Sequence, residues 1–215
     1  MAKIRVLLVE DHTVVRQGLR RILELDPAVE IVGEVGDGRA ALDAVQRLKP
    51  GVAVIDISLP ELNGIEVTRQ LAKAAPATKV LILSMHADDA YIRQSLRAGA
   101  QGYLLKDADD NDLLKAVTAL DAGGSYFSPA VSKILLNGYL QDGAPPADEE
   151  MGGLSDRERE VLQLVAEGKS NKEVAQVLSV AVSTVESHRK HIMDKLDLHN
   201  TAEIVRFAVR KGMVQ

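Results

Sequence analysis

The sequence predicts an α/β domain built on a doubly wound five-stranded parallel sheet, followed by a small all-α domain. Three observations predict it. Five short apolar runs alternate with helix-period patterns over residues 1–121. The run Asp142-Gly143-Ala144-Pro145-Pro146-Ala147-Asp148-Glu149-Glu150 has little to bury and reads as a linker. From Leu154 onward, helix-start patterns recur without any strand-like alternation.

Taken in order, Ile4–Val9 is the first strand, followed at once by Glu10 and Asp11, and Val14, Val15, Leu19, Ile22 and Leu23 then repeat at helical spacing. Glu30–Val35 is the second strand, with a helix over 40–48 ended by Lys49-Pro50-Gly51. Val52-Ala53-Val54-Ile55 is apolar without interruption, as a strand buried on both faces must be, and Asp56 closes it. Taken alone, Asp56 is either a ligand-facing carboxylate at a strand end or a local cap. Helices over 65–74, 90–98 and 113–120 follow the third, fourth (Lys79–Ser84) and fifth (Gly102–Lys106) strands, and Gly123-Gly124 closes the domain.

The chain of 215 residues has no cysteine, which excludes disulfide and thiolate chemistry. No apolar run approaches membrane-spanning length, and the amino terminus lacks a secretory core, so the expectation is a soluble, cytoplasmic protein with no membrane partner. Residues 151–215 carry ten Lys/Arg and nine Asp/Glu, so the net charge of −5 is concentrated, at −6, in residues 1–150. The acidic front suits a cation, and the near-neutral tail permits approach to a polyanion.

Periodicity sends the polar residues to one edge. Glu10 and Asp11 follow strand one, Asp56 ends strand three, Ser84 ends strand four and Lys106 ends strand five. In a doubly wound sheet these carboxyl ends converge on the crevice beside the switch in strand order. Crowded carboxylates repel unless a cation neutralises them, and an oxygen-only donor set with open positions favours Mg2+.

Glu10-Asp11, Asp56-x-x-Leu59-Pro60-x-x-x-Gly64, Ser84 and Tyr103-x-x-Lys106 closely resemble the receiver domain of bacterial response regulators, over about residues 3–121. The resemblance implies a flavodoxin-like sheet and names Asp56 as acceptor of a phosphoryl group. It implies Mg2+ held by Asp11, Asp56 and the main-chain carbonyl of Ser58, with Glu10 acting through water. Lys106 would compensate the phosphoryl charge, Ser84 would donate to a phosphate oxygen, and Tyr103 would change rotamer as Ser84 is drawn inward. By its position alone, Tyr103 is equally a residue packed at the edge of the last strand. Asp107 stands where many receivers have proline, so a cis bond there is not carried over.

The tail reads as four helices. Ser155-x-x-Glu158, Ser170-x-x-Glu173 and Ser183-x-x-Glu186 are capping-box patterns, and Asn200-x-x-Glu203 is an Asn-led variant. The short turn around Ser179–Ala181 makes the second and third helices a helix-turn-helix pair. Leu154-Ser155-x-Arg157-Glu158, Gly168-Lys169-Ser170-Asn171-Lys172-Glu173-Val174-Ala175, Thr184-Val185-x-x-His188 and Ile192-Met193-x-Lys195-Leu196 closely resemble the LuxR-type DNA-binding domain, over 152–214. Together the two halves resemble response regulators of the NarL/FixJ class.

That resemblance implies domains at 1–123 (receiver), 124–152 (linker helix and flexible linker) and 153–215 (helix-turn-helix). The third helix of the tail would read bases with Glu186, Ser187 and Lys190, Arg189 lying close by, while Lys172 and Thr184 would touch phosphates. Lys190 and Arg189 are otherwise an ordinary solvated face, and Glu186 either accepts from cytosine or only completes a capping box. His188 is spaced to face inward, between Val185 and Ile192. Ala181 stands where relatives often have a capping Ser or Thr, which leaves the start of the reading helix open by two residues.

The function implied is transcription control: a histidine kinase or a small acyl phosphate donor phosphorylates Asp56, and the protein dimerises and binds double-stranded DNA at inverted or tandem half-sites. No enzyme activity is expected beyond self-phosphorylation and auto-dephosphorylation. An aspartyl-phosphate hydrolase would want an acid two residues after its nucleophile, where this chain has Ser58. A single-strand RNA module is disfavoured, since the tail offers only Phe207 for stacking.

Overall fold

The computed structural model describes residues 3–139 and 153–214. The acidic run at 142–150 lies outside them. The chain divides into two compact units, Met1–Asp142 and Gly143–Gln215.

The first unit runs β1 (Ile4–Val9), α1 (Thr13–Leu23), β2 (Val29–Val35), α2 (Gly38–Leu48), β3 (Val52–Asp56), α3 (Gly64–Ala74), β4 (Lys79–Ser84), α4 (Asp89–Ala98), β5 (Gly102–Leu105) and α5 (Asp110–Asp121), then β6 (Tyr126–Phe127) and α6 (Pro129–Tyr139). The strands are all parallel, in the order β2-β1-β3-β4-β5-β6. Alternation along each strand assigns the two layers. Leu7, Val9, Ala53, Ile55, Val80, Ile82 and Tyr103 face α2, α3, α4 and α6, whereas Val6, Leu8, Val52, Val54, Leu81 and Leu104 face α1 and α5. Every residue of β3 is buried. A slip of one residue would exchange its two apolar faces between differently shaped layers, so the register is fixed from both sides.

The sheet is one strand wider than the five expected. Tyr126 and Phe127 pair beside Gly102 and Tyr103 of β5, and Val131 of α6 is buried in the main core. Residues 124–139, expected in the connection between domains, therefore complete the first unit. A strand of two residues carries no readable alternation, which is why sequence periodicity passes over it.

The second unit is helical: α7 (Asp156–Ala166), α8 (Asn171–Leu178), α9 (Val182–Leu196) and α10 (Thr201–Arg210). Ser155 and Ser170 complete capping boxes with Glu158 and Glu173, and the Asn200 side chain accepts from the Glu203 amide. The Ser183-x-x-Glu186 box does not form. Helix α9 starts two residues earlier, with Ala181 in the cap position and no side-chain cap. Burial of Val185 and the bonds from the Thr184 and Val185 amides to the Ala181 carbonyl set that start, so packing overrides the local signal. Val161, Leu162, Val165, Val174, Leu178, Val185, Ile192, Ile204 and Phe207 form the core of this unit.

Candidate functional site

The registers Asp56↔Leu83 and Ser84↔Leu105 bring the carboxyl ends of β3, β4 and β5 level. Asp56 is the last residue of β3 and only 4% exposed, and Glu10, just past β1, is 1% exposed. Lys106 bridges them, with Nζ 2.8 Å from Glu10 Oε2 and 3.0 Å from Asp56 Oδ2. Burial disfavours the Lys106 charge, but the Glu10 and Asp56 carboxylates outweigh it and hold the ammonium above its ordinary range.

Asp11 is half-buried and stands beside the exposed His12, its Oδ1 2.8 Å from His12 Nδ1. Arg16 donates to the main-chain carbonyls of Glu10 and Asp11, which fixes the loop that carries both acids. The loop after Asp56 folds back tightly: a Cβ at Gly64 would lie 2.0 Å from the Asp56 carbonyl oxygen. The Gly64 amide donates to Ile57, and the Asn63 side chain caps α3 by accepting from Glu66. Gly64 is thus required for the backbone around Asp56 to close. Gly38 plays the same part opposite Leu62, whose carbonyl oxygen a Cβ would meet at 1.8 Å; nothing in the sequence singles out that contact.

Ser84, fully buried, accepts from the His86 amide at 3.1 Å. Tyr103 is fully buried as well, and its hydroxyl donates to the His86 carbonyl at 2.7 Å. Burial pushes the Tyr103 hydroxyl up to about 12, against the opposing hydrogen bond with Ser84. Tyr103 thus points into the core, on a strand flanked by β4 and β6, and not along an edge. His86 ties Ser84 to Tyr103 through its main chain and stacks on Tyr91, ring centroids 4.2 Å apart. Sequence reasoning missed His86, because the link runs through backbone atoms that any residue supplies.

The donor set fits a hard divalent ion. Three carboxylates and the Ser58 main chain offer oxygen alone, and Glu10 Oε2 is buried without an aligned hydrogen-bond donor, its neighbour being the Lys106 cation. Glu10, Asp11 and His12 each place a ligand atom within 4.8 Å of the others.

In the helical unit, Lys172, Thr184, Glu186, Ser187 and Lys190 are all exposed, on the first turn of α8 and the outer side of α9. Arg189 is not among them. Its guanidinium donates to Asn171 Oδ1 at 2.8 Å and to Thr201 Oγ1 at 2.7 Å, tying α9 to the starts of α8 and α10. Expected close to the base-reading face, it is held here by two acceptors within the domain. His188 is half-buried rather than enclosed in the core.

Residues 6–118 match the model of the response regulator receiver domain, and residues 153–208 match that of the bacterial regulatory proteins of the luxR family. The chain belongs to the response regulators, in the NarL/FixJ class. This response regulator is 36% identical over 212 residues to the transcriptional regulatory protein MctR of Rhizobium johnstonii, covering 99% of this chain and 96% of that one. It resembles the crystal structure of the response regulator ChrA of a heme-sensing two-component system, with a TM-score of 0.55, 35% identity and full coverage of both chains. It also resembles a structure of two RcsB dimers bound to two parallel DNAs, with a TM-score of 0.59, 28% identity and coverage of 96% of this chain and 98% of that one. A receiver domain joined to a LuxR-type DNA-binding domain makes this response regulator a transcriptional regulator. Among the described residues, no helix is long and apolar enough to cross a membrane.

Proposed function

We propose that Asp56 is the phospho-acceptor of this response regulator, that a cognate histidine kinase supplies the phosphoryl group, and that phosphorylation drives dimerisation and promoter binding. One observation carries the reading: the buried Asp56 carboxylate stands 3.0 Å from the Lys106 ammonium at the carboxyl edge of the sheet. The carboxylate attacks phosphorus and the donor's leaving group departs, forming an acyl phosphate. Lys106 offsets the added negative charge, and Ser84 turns its hydroxyl from the His86 amide toward a phosphoryl oxygen. Mg2+, which neutralises charge on the transferring oxygens when bound, would be held by Asp11, Asp56 and the Ser58 carbonyl, with Glu10 through water. Turnover is confined to self-phosphorylation and auto-dephosphorylation at Asp56.

Ser84 and Tyr103 share His86, so a move of Ser84 frees the backbone that holds Tyr103 inward. Each state that binds DNA or dimerises better then also favours the phosphorylated form. Lys172 and Thr184 would touch phosphates while Glu186, Ser187 and Lys190 meet base edges in the major groove, as two copies read inverted or tandem half-sites. The RcsB complex, a dimer on DNA, supports that arrangement. The protein would act in the cytoplasm, where its DNA lies.

The test is labelling with acetyl phosphate and Mg2+, followed by mass spectrometry and by DNA affinity before and after labelling. The expected result is one phosphoryl group on Asp56, none in Asp56→Asn, and tighter duplex binding with the label. Phosphate elsewhere, or equal affinity in both states, overturns the proposal.

A further inference from the structure

We propose that His12 makes the acidic pocket a site for first-row transition ions, with Glu10 Oε1, Asp11 Oδ1 and His12 Nδ1 as three ligands on one face of a Mn2+ or Zn2+ ion. The inference rests on the receiver reading, in which the neighbouring carboxylates hold a divalent cation. His12 is the one nitrogen in a donor set otherwise made of oxygen.

Glu10 divides its two oxygens. Oε2 faces Lys106 at 2.8 Å, while Oε1 faces the other way, 3.3 Å from His12 Nδ1. Asp11 Oδ1 lies 2.8 Å from the same nitrogen. Ligands at right angles on an ion with bonds of about 2.1 Å stand about 3.0 Å apart. The two measured spacings bracket that value. Two of the three edges of an octahedral face are therefore already near that length, and all three residues offer a ligand atom within 4.8 Å of the others.

The His12 ring is turned to the same two carboxylates and not to its own helix. The residue occupies the N-cap position of α1, where Ser, Thr, Asp or Asn would normally cap, yet its side chain makes no cap bond. It is 68% exposed, so an ion reaches it without opening the core. Lys106 is engaged with Glu10 Oε2 and Asp56, and Arg16 with the main-chain carbonyls of Glu10 and Asp11 and with Glu34. Imidazole adds little for Mg2+ but much for Mn2+ through Zn2+, with affinity rising along that series. The ligand class is a borderline divalent ion, competing with Mg2+ for the same pocket.

The test uses the full-length protein and Mn2+ as the probe, read by pulsed electron paramagnetic resonance. The expected result is a directly coordinated nitrogen in the unmodified chain, absent in both His12→Gln and His12→Asp, with Mn2+ displaced by excess Mg2+. The aspartate variant keeps an oxygen donor, so it retains Mn2+ while losing the nitrogen signal, which separates a lost ligand from a lost fold. Zn2+ affinity is expected to fall at least about tenfold in both variants. Mn2+ bound without nitrogen coupling, a nitrogen signal that survives the substitutions, or Mn2+ that Mg2+ does not displace would each overturn the proposal. Labelling of Asp56 is scored separately: nitrogen coupling without labelling would sink the phospho-acceptor reading and leave His12 a ligand, and the converse would do the opposite.

Discussion

Glu158 offers the sharpest quantitative test in the helical domain. Its Oε2 accepts from the Ser155 amide at 2.7 Å, the Ser155 hydroxyl at 2.9 Å and Lys195 Nζ at 2.7 Å. One carboxylate oxygen thus joins the start of α7 to the end of α9. Burial works against its ionisation, but Lys195 and Ser155 outweigh that and hold the carboxyl at about 2, below the ordinary 4.5. At about 1.36 kcal/mol per tenfold, the difference is worth at most about 3 kcal/mol at neutral pH. Lys195 has a side chain 41% exposed, and screening there lowers the expectation to about 1–2 kcal/mol.

The sign follows from the direction. A depressed carboxyl stabilises above its unfolded value and loses that contribution as pH falls from about 4.5 toward about 2. Glu158→Gln should therefore be less stable than the unmodified chain at pH 7, with the gap closing steadily below pH 5. Urea titrations followed by the methyl signals of Met213, in the core of this domain, and Met193, packed against that core, report on it separately from the receiver. A gap that stays constant from pH 7 to pH 3 refutes the reasoning.

Gly64→Ala drives a Cβ to within 2.0 Å of the Asp56 carbonyl oxygen; a loss of at least about 3 kcal/mol of receiver stability is expected, together with loss of labelling. An unchanged unfolding midpoint would contradict the close approach. Arg189→Met removes two internal hydrogen bonds and should cost about 1–2 kcal/mol. It should weaken DNA binding without changing its dependence on salt, whereas Lys190→Ala or Lys172→Ala lowers the slope of log K against log salt by about 1. Anisotropy titrations over a salt series separate the two cases. Ser179, at φ 53 after α8, holds a conformation suited to glycine; Ser179→Gly should raise the unfolding free energy of the helical domain by up to about 1 kcal/mol, read from the same methyl signals.

By itself, the sequence determined whatever depends on neighbours along the chain. An uninterrupted apolar run ending in Asp56 is legible because a strand buried on both faces has no polar alternation. The boxes at Ser155 and Ser170 are legible because a cap bonds its own helix three residues on. The convergence of Glu10, Asp56, Ser84 and Lys106 follows from parallel strands whose carboxyl ends share one edge. Only the tertiary structure decided contacts set by distance in space. Ala181 displaced Ser183 as the cap of α9 because the buried Val185 draws the first turn inward. Arg189 bonds to Asn171 and Thr201, 18 and 12 residues away, because the packed helices bring two acceptors within its reach. His86 joined Ser84 to Tyr103 through an amide and a carbonyl common to every residue type, and Glu10 parted its two oxygens between Lys106 and His12. Local rules carry no information on such pairings, since their energies depend on which side chains the packed core brings within hydrogen-bond reach.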